Sequence, residues 1–450
     1  MWEENNTPDS FFSKKKRRAE QRRRSTMAER LAIEGGAPAI TDPIPGQGGG
    51  PGANVIDDQE IAAVTEMLRK RQLFRFNPES KVRKFERDAC AKIGVKHALM
   101  VNSGTSALIC GLIGLGIGPG DEVIVPGYTY IATAAAVVAA GAVPVIAEID
   151  DSLGMSPEDC EAKITPRTKA IIPVHMQGVP ARLEALLDVA RRHNLKVLED
   201  CAQCLGGEYK GRMTGSWGDA GAWSFNYFKI LTCGEGGLIF SDDYVVYERA
   251  CFASDPAMPM WMRETIATEG WETKPFSAQC YRPSELLGAM ACVQLGKLDA
   301  ILAHTRALKR AFLCALEEPK GYRLQHVDDP AGDCGISGAI LIQDPAMAQR
   351  YGEALSAEGL HCGTAHNDGF PDRHIYRYWD SILDKNAHHP SASVWSHAAY
   401  EGEIVYSREM CPRTMDILNR AIRFGFNMAM TEEHAKQMAK AINKVDAALG

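Results

Sequence analysis

From residue 97 to residue 241 the chain repeats one pattern: a short apolar run, a turn, then a stretch with helical spacing. The runs are HALMV (97–101), DEVIVP (121–126), VPVIAEI (143–149), KAIIPVH (169–175), LKVLED (195–200), GAWSF (221–225) and GLIFS (237–241). Each is too short for a helix, and cores such as VIV and AII lack the alternation of a strand with one wet face. The spacing predicts buried, mainly parallel strands joined by helices, ARLEALLDVARRHN at 181–194 being one of them. The result is an open α/β sheet. In such a sheet ligands collect beyond the carboxyl ends of the strands.

The chain of 450 residues is long enough for more than one domain. We expect a large α/β domain over 53–300 and a smaller C-terminal α+β domain over 301–450. The apolar spacing of 285–318 predicts a long helix, or two linked ones, that bridges them. Beyond it come a strand at GAILIQ (338–343), a helix over 346–359, a polar aromatic stretch around 367–410, and a closing helix from about 432 with Thr431 as its N-cap. The apolar run at 131–147 contains Gly141 and Pro144. It reads as a buried helix ending at Gly141 followed by a buried strand, with no membrane span.

Residues 1–52 read as a basic, disordered extension and linker, with Met27 a candidate natural start and GQGGGPG at 46–52 a flexible connector. The first 26 residues carry eight Lys or Arg against four Asp or Glu, while the whole chain has a net charge of −7. Basic charge confined to a short tail on an acidic body does not make a nucleic-acid interface. No apolar signal segment follows the tail. The thirteen cysteines lack the spacing of a disulfide framework, which points to reduced thiols and a cytoplasmic location. Cys201 and Cys204 form a C-x-x-C with no second pair and no nearby paired histidines, so packing explains them better than a metal does.

Three segments place chemistry at the carboxyl edge of the sheet. In VNSGTSALICGL (101–112) a helix opening near Thr105 would offer backbone N–H groups and the hydroxyls of Thr105 and Ser106 to a phosphate, with Gly104 allowing close approach. In LKVLEDCAQCLGG an aspartate, Asp200, ends a buried strand and needs a cation or a donor as partner. In SFNYFKILTCGEGG (224–237) Lys229 follows a strand that carries Ser224 and precedes a glycine-dense turn. A phosphate cup, a partner for a protonated ring nitrogen and an amine for an aldehyde, in that order on one sheet, are the requirements of pyridoxal 5'-phosphate.

The segments SGTSAL, GDEVIVPGYTYIAT, PVHMQG, EDCAQ, SFNYFK and GEGG, in this order, resemble the DegT/StrS-type sugar aminotransferases of the fold-type I class, over residues 55–300 and more loosely beyond. The resemblance implies a fold-type I fold, with Lys229 bonded to the cofactor aldehyde, Asp200 on the pyridine nitrogen and Gln203 near the ring hydroxyl. It also implies that Gly104, Thr105, Ser106 and Ser224 lie at the phosphate and that Tyr130 stacks on the ring. It implies homodimers with sites at the subunit boundary, glutamate or glutamine as amino donor, and a keto sugar, sugar aldehyde or cyclitol ketone as acceptor. FRFN, AEIDDSLGMSP and VHMQG resemble enzymes that aminate an eight-carbon acid sugar, whereas LAIEGGAPAI is similar to those acting on inososes.

Two positions depart from the family pattern. Cys280 stands where an asparagine usually reaches the neighbouring subunit's phosphate, with Gln279 a candidate substitute, and Asp255-Pro256 replaces a His-Gly pair. Related dehydratases place histidine at the lysine position, so Lys229 favours transamination. Elimination or decarboxylation draws on the same cofactor, and a non-catalytic protein with a basic interaction arm is the reading from another class.

Overall fold

The computed structural model describes residues 29–256, 259, 270–365 and 371–450. The basic run at 14–24 lies outside the described residues. Seven strands form the large sheet: β1 (His97–Val101), β2 (Glu122–Pro126), β3 (Val143–Ala147), β4 (Thr168–Ile171), β5 (Lys196–Asp200), β8 (Ala220–Ser224) and β9 (Gly237–Ser241). The two-residue strands β6 (Glu208–Tyr209) and β7 (Arg212–Met213) form a separate small hairpin. The order in the sheet is β1-β9-β8-β5-β4-β2-β3. Only β9 runs against its neighbours. The other six strands therefore end on one edge. Strands β2, β3, β8 and β9 are buried along their whole length, which is why their sequences read as unbroken apolar runs. The run at 131–147 divides as expected into a helix, Ala132–Ala139, a left-handed Gly141 and strand β3.

A second, antiparallel sheet contains β10 (Tyr322–Leu324), β11 (Ser337–Ile342) and β12 (Ala421–Gly425), with Ile340 opposite Ile422. It packs with helices Ala348–Ala357 and Glu432–Leu449 around Tyr351, Leu355, Met438 and Ile442. Thr431 caps the last helix by accepting from His434 N.

The bridging element is one helix, Glu285–Ala315. By length and composition it could cross a membrane. Here it links the two cores instead: Leu298, Ile301 and Leu302 lie in the large one, and Leu308 and Phe312 lie in the small one. The aromatic stretch of the C-terminal part returns to the large sheet, with Tyr376, Trp379 and Ile417 packed in the same core as Val125 and Ile146.

Residues 29–52 are not a free linker. Leu31 and Ile40 are buried in the small core. The carboxylate of Glu358, itself fully buried, accepts from Ala32 N at 2.8 Å, Ala39 N at 2.7 Å and Lys444 Nζ at 2.8 Å. Farther on, Pro45 O accepts from Asn427 Nδ2 and Gln47 Oε1 accepts from Met428 N. Composition alone misread this strap because its glycines serve close packing, not freedom. Lys444→Met should leave the Glu358 charge buried without its cation and cost about 3–5 kcal/mol. Urea unfolding would show it as a lowered midpoint.

Candidate active site

Lys229 sits in a loop whose backbone is fixed on every side. Asn226 accepts from Phe228 N through its side chain and from Lys229 N through its carbonyl, and its amide donates to Glu235. Phe225 N donates to Gly236 O, and Thr232 Oγ1 and Cys233 N both donate to Phe225 O. The glycine-rich segment read as a connector forms the outer wall. Gly50 N donates to Tyr227 O and Gly52 N to Lys229 O. A Cβ on Gly50 would stand 2.3 Å from the Phe228 carbonyl carbon. The half-buried Lys229 amine is held below its usual pKa by burial, against the opposing pull of the Asp200 and Glu235 carboxylates. Its neutral form is therefore more accessible than that of a surface lysine.

Asp200, the last residue of β5, is buried. Its Oδ1 accepts from Ala202 N at 3.0 Å and its Oδ2 accepts from Thr133 Oγ1 at 2.8 Å. Thr133 in turn pairs with the buried Thr129 hydroxyl at 2.8 Å. Neither threonine was singled out from sequence. Their i, i+4 spacing in TYIAT was the available signal.

Ser103 caps the helix Gly104–Gly114 by accepting from Ser106 N, so the first turn of that helix faces the same strand edge. Ser106 is buried, with its hydroxyl bonded to Asn102 and Ser103. Thr105 is half-buried, and among the described residues its side chain has no hydrogen-bond partner. A Cβ on Gly104 would lie 2.6 Å from Ser224 Cβ, and one on Gly237 would lie 2.2 Å from Ser103 O. These two glycines let the helix start, the end of β8 and the turn after Lys229 converge. The last glycine of the GEGG segment thus makes room for the turn that opens this helix.

Gln203 Oε1 accepts from Gln177 N at 3.0 Å, and Gln177 Nε2 donates to Tyr128 Oη at 2.8 Å. Tyr130 is 48% exposed, its ring 5.3 Å from that of His374. Cys280 and Gln279 are both exposed, while the Tyr281 backbone between Ser254 O and Asn102 N ties their segment to the turn after β1. Asp255, at the other departing position, is buried and ion-paired with Arg282 at 2.8 Å. The structure therefore brings Lys229, Asp200, Gln203, Ser224 and the Gly104–Ser106 turn to one strand edge, with Tyr130 at its rim.

His175, Glu199 and Cys201 cluster closely enough to suggest a metal. Their donors are already committed. Glu199 accepts from Gly215 N, Trp217 N and Gly218 N, and His175 Nδ1 accepts from Ala181 N, which leaves its Nε2–H to donate to Glu199. Cys201 and Cys204 are buried, and Cys204 Sγ lies 3.7 Å from Cys334 Sγ. All thirteen cysteines are free thiols.

A family model described as the DegT/DnrJ/EryC1/StrS aminotransferase family matches residues 54–443. The spore coat polysaccharide biosynthesis protein SpsC of Bacillus subtilis is 37% identical over 344 residues, 75% of this chain and 87% of that protein. The L-glutamine:2-deoxy-scyllo-inosose aminotransferase of Streptomyces kanamyceticus is 36% identical over 312 residues, 66% of this chain and 70% of the relative. Among solved structures, 3-amino-5-hydroxybenzoic acid synthase superposes with a TM-score of 0.72 at 26% identity, covering 90% of this chain and 99% of that one. The site geometry and these likenesses agree, and the chain belongs to the DegT/DnrJ/EryC1/StrS aminotransferase family.

Proposed function

We propose that this aminotransferase uses pyridoxal phosphate to move an amino group from glutamine or glutamate onto the carbonyl of a keto sugar, sugar aldehyde or cyclitol ketone. The observation that carries the reading is a lysine with a depressed pKa sharing its strand edge with a buried, doubly hydrogen-bonded aspartate. The donor set fits the cofactor: an amine for its aldehyde, a carboxylate for its ring nitrogen, and a helix start with a free Thr105 hydroxyl beside Ser224 for its phosphate. When bound, it supplies an aldehyde that bonds amines and a ring that takes up the electron pair released at the substrate carbon.

The protein's own residues do the rest. Lys229 Nζ would hold the cofactor's aldehyde, and the same amine would serve to move the proton at the substrate carbon. Asp200, held by Thr133 and the Ala202 N–H, would keep a proton on the ring nitrogen, and the Gly104 and Thr105 N–H groups would orient the phosphate. The glycine wall at 50–52 holds the lysine loop in place throughout.

The substrate class draws support from the inosose and polysaccharide enzymes among the relatives. A homodimer draws support from exposed aromatics beside the lysine, Phe228 being 69% exposed and Tyr227 46%. A second copy would cover them, and sedimentation tests this. Cytoplasmic placement rests on the thirteen free thiols. We assign cofactor binding to residues 53–300 and treat 301–450 as the smaller part. Amine formation across a panel of keto sugars, inososes and sugar aldehydes tests the acceptor. The visible spectrum before and after glutamine or glutamate tests the reaction.

Lys229→Ala should lower turnover at least about 1,000-fold with the fold intact by circular dichroism; an active variant overturns the assignment. In cofactor-free protein, Asp200→Asn removes a charge that raises the Lys229 pKa, so the midpoint for acylation of that amine, followed by mass spectrometry, should move to lower pH. Gly50→Ala should cost about 1–3 kcal/mol of stability and weaken cofactor retention on gel filtration.

A further inference from the structure

A groove of about 680 Å³ runs between the helix Glu285–Ala315 and β10, an edge strand of the small sheet. Its size is that of a small-molecule site. Arg306, Lys309, Arg310 and Leu313 follow one another at i, i+3, i+4 and i+7, so one helix face supplies one wall. Leu324 comes from β10, and the buried Phe312 and Phe424 complete the apolar lining. Leu313 and Leu324 are each 41% exposed. Apolar surface here lies open to water beside a cationic margin.

The charges of that margin do not cancel. Asp333 is the one carboxylate in the lining, and it is already committed: Oδ1 accepts from Gly335 N at 2.7 Å and Oδ2 pairs with Lys309. Arg306 donates through Nε to Asp333 O at 2.8 Å and through Nη2 to Gly206 O at 3.4 Å, both of them neutral carbonyls. Among the described residues Arg310 has no ion-pair or hydrogen-bond partner. Three cations therefore face one anion. The chain's own N-terminus is a poor match for them, since its first 26 residues carry eight Lys or Arg against four Asp or Glu. A ligand with an apolar body and an anionic group would cover the leucines and meet the arginines at once.

We propose that this groove is a ligand site, separate from the lysine site, for a small organic acid whose apolar body lies on Leu313, Leu324 and Phe424 and whose anionic group lies beside Arg306 and Arg310. The inference does not depend on the aminotransferase reading. Asp333 and Gly335 line the groove, and the segment they belong to also holds the turn next to Gln203: Cys334 N donates to Gly178 O at 2.9 Å, and Ser337 Oγ donates to Gln177 O at 2.6 Å. A ligand in the groove sits one chain segment away from that turn.

The test uses the cofactor-loaded full chain and anilinonaphthalene sulfonate, a fluorescent anion with an apolar body. Its emission should rise with the wild type and fall when decanoate is added, decanol being a competitor at least about 10-fold weaker. Excess glutamine should not displace the dye. Arg310→Glu should raise the half-saturating dye concentration about 10-fold, Leu313→Gln should raise it about 3- to 10-fold, and Arg310→Lys should leave it within about 3-fold of the wild type. Both positions are exposed, so circular dichroism should show every variant folded. No rise in emission with the wild type, equal competition by decanol and decanoate, displacement by glutamine, or an unchanged half-saturation in either Arg310→Glu or Leu313→Gln overturns the proposal. A changed sedimentation coefficient in Leu313→Gln would show that a second copy covers the groove, and overturns it as well.

Discussion

A carboxylate at the end of a dry strand is the constraint around which the site is arranged. Burying Asp200 without partners would be prohibitive, and the fold answers with a hydroxyl from Thr133 and a backbone N–H from Ala202. Both come from segments just past the carboxyl ends of the parallel strands β2 and β5, so the sheet topology itself satisfies the charge. The same edge then brings Lys229 near enough for the two groups to feel each other's field. Burial in a water-poor place gives the amine its lowered basicity, and the Asp200 charge that the topology brings near holds part of that shift back.

The second requirement is closeness of backbones. Gly50 against Phe228, Gly104 against Ser224 and Gly237 against Ser103 are approaches that a single methyl group would prevent. Each removes a degree of freedom from the lysine loop or from the helix start. A transferring proton requires atoms held to fractions of an ångström, and here the absence of side chains provides that rigidity.

Much of this was legible in the residues. The seven strand runs stood at their observed places because burial on both faces leaves continuous apolar sequence, and Asp200 and Lys229 stood out because a strand-end carboxylate and a lysine before a glycine turn lack a bland purpose. Less legible were partners whose meaning depends on long-range folding. Thr133 looks like any threonine on an apolar helix until β5 is laid beside it. Arg310 stands on the long helix close to two other cations and gives no local hint of the groove it borders. The strap was misread for the opposite reason: GQGGGPG has the composition of a flexible spacer, and only the surface it lies on reveals that its glycines are there for fit.

That strap runs without a break from Leu31 in the small core, past Asn427 and Met428, to the wall of the lysine loop. The matched family region opens at residue 54, yet the twenty-odd residues before it join the small core to the outer wall of this loop. Trimming the gene to the family boundary would therefore strip the scaffolding from the Lys229 loop while leaving each recognisable motif in place.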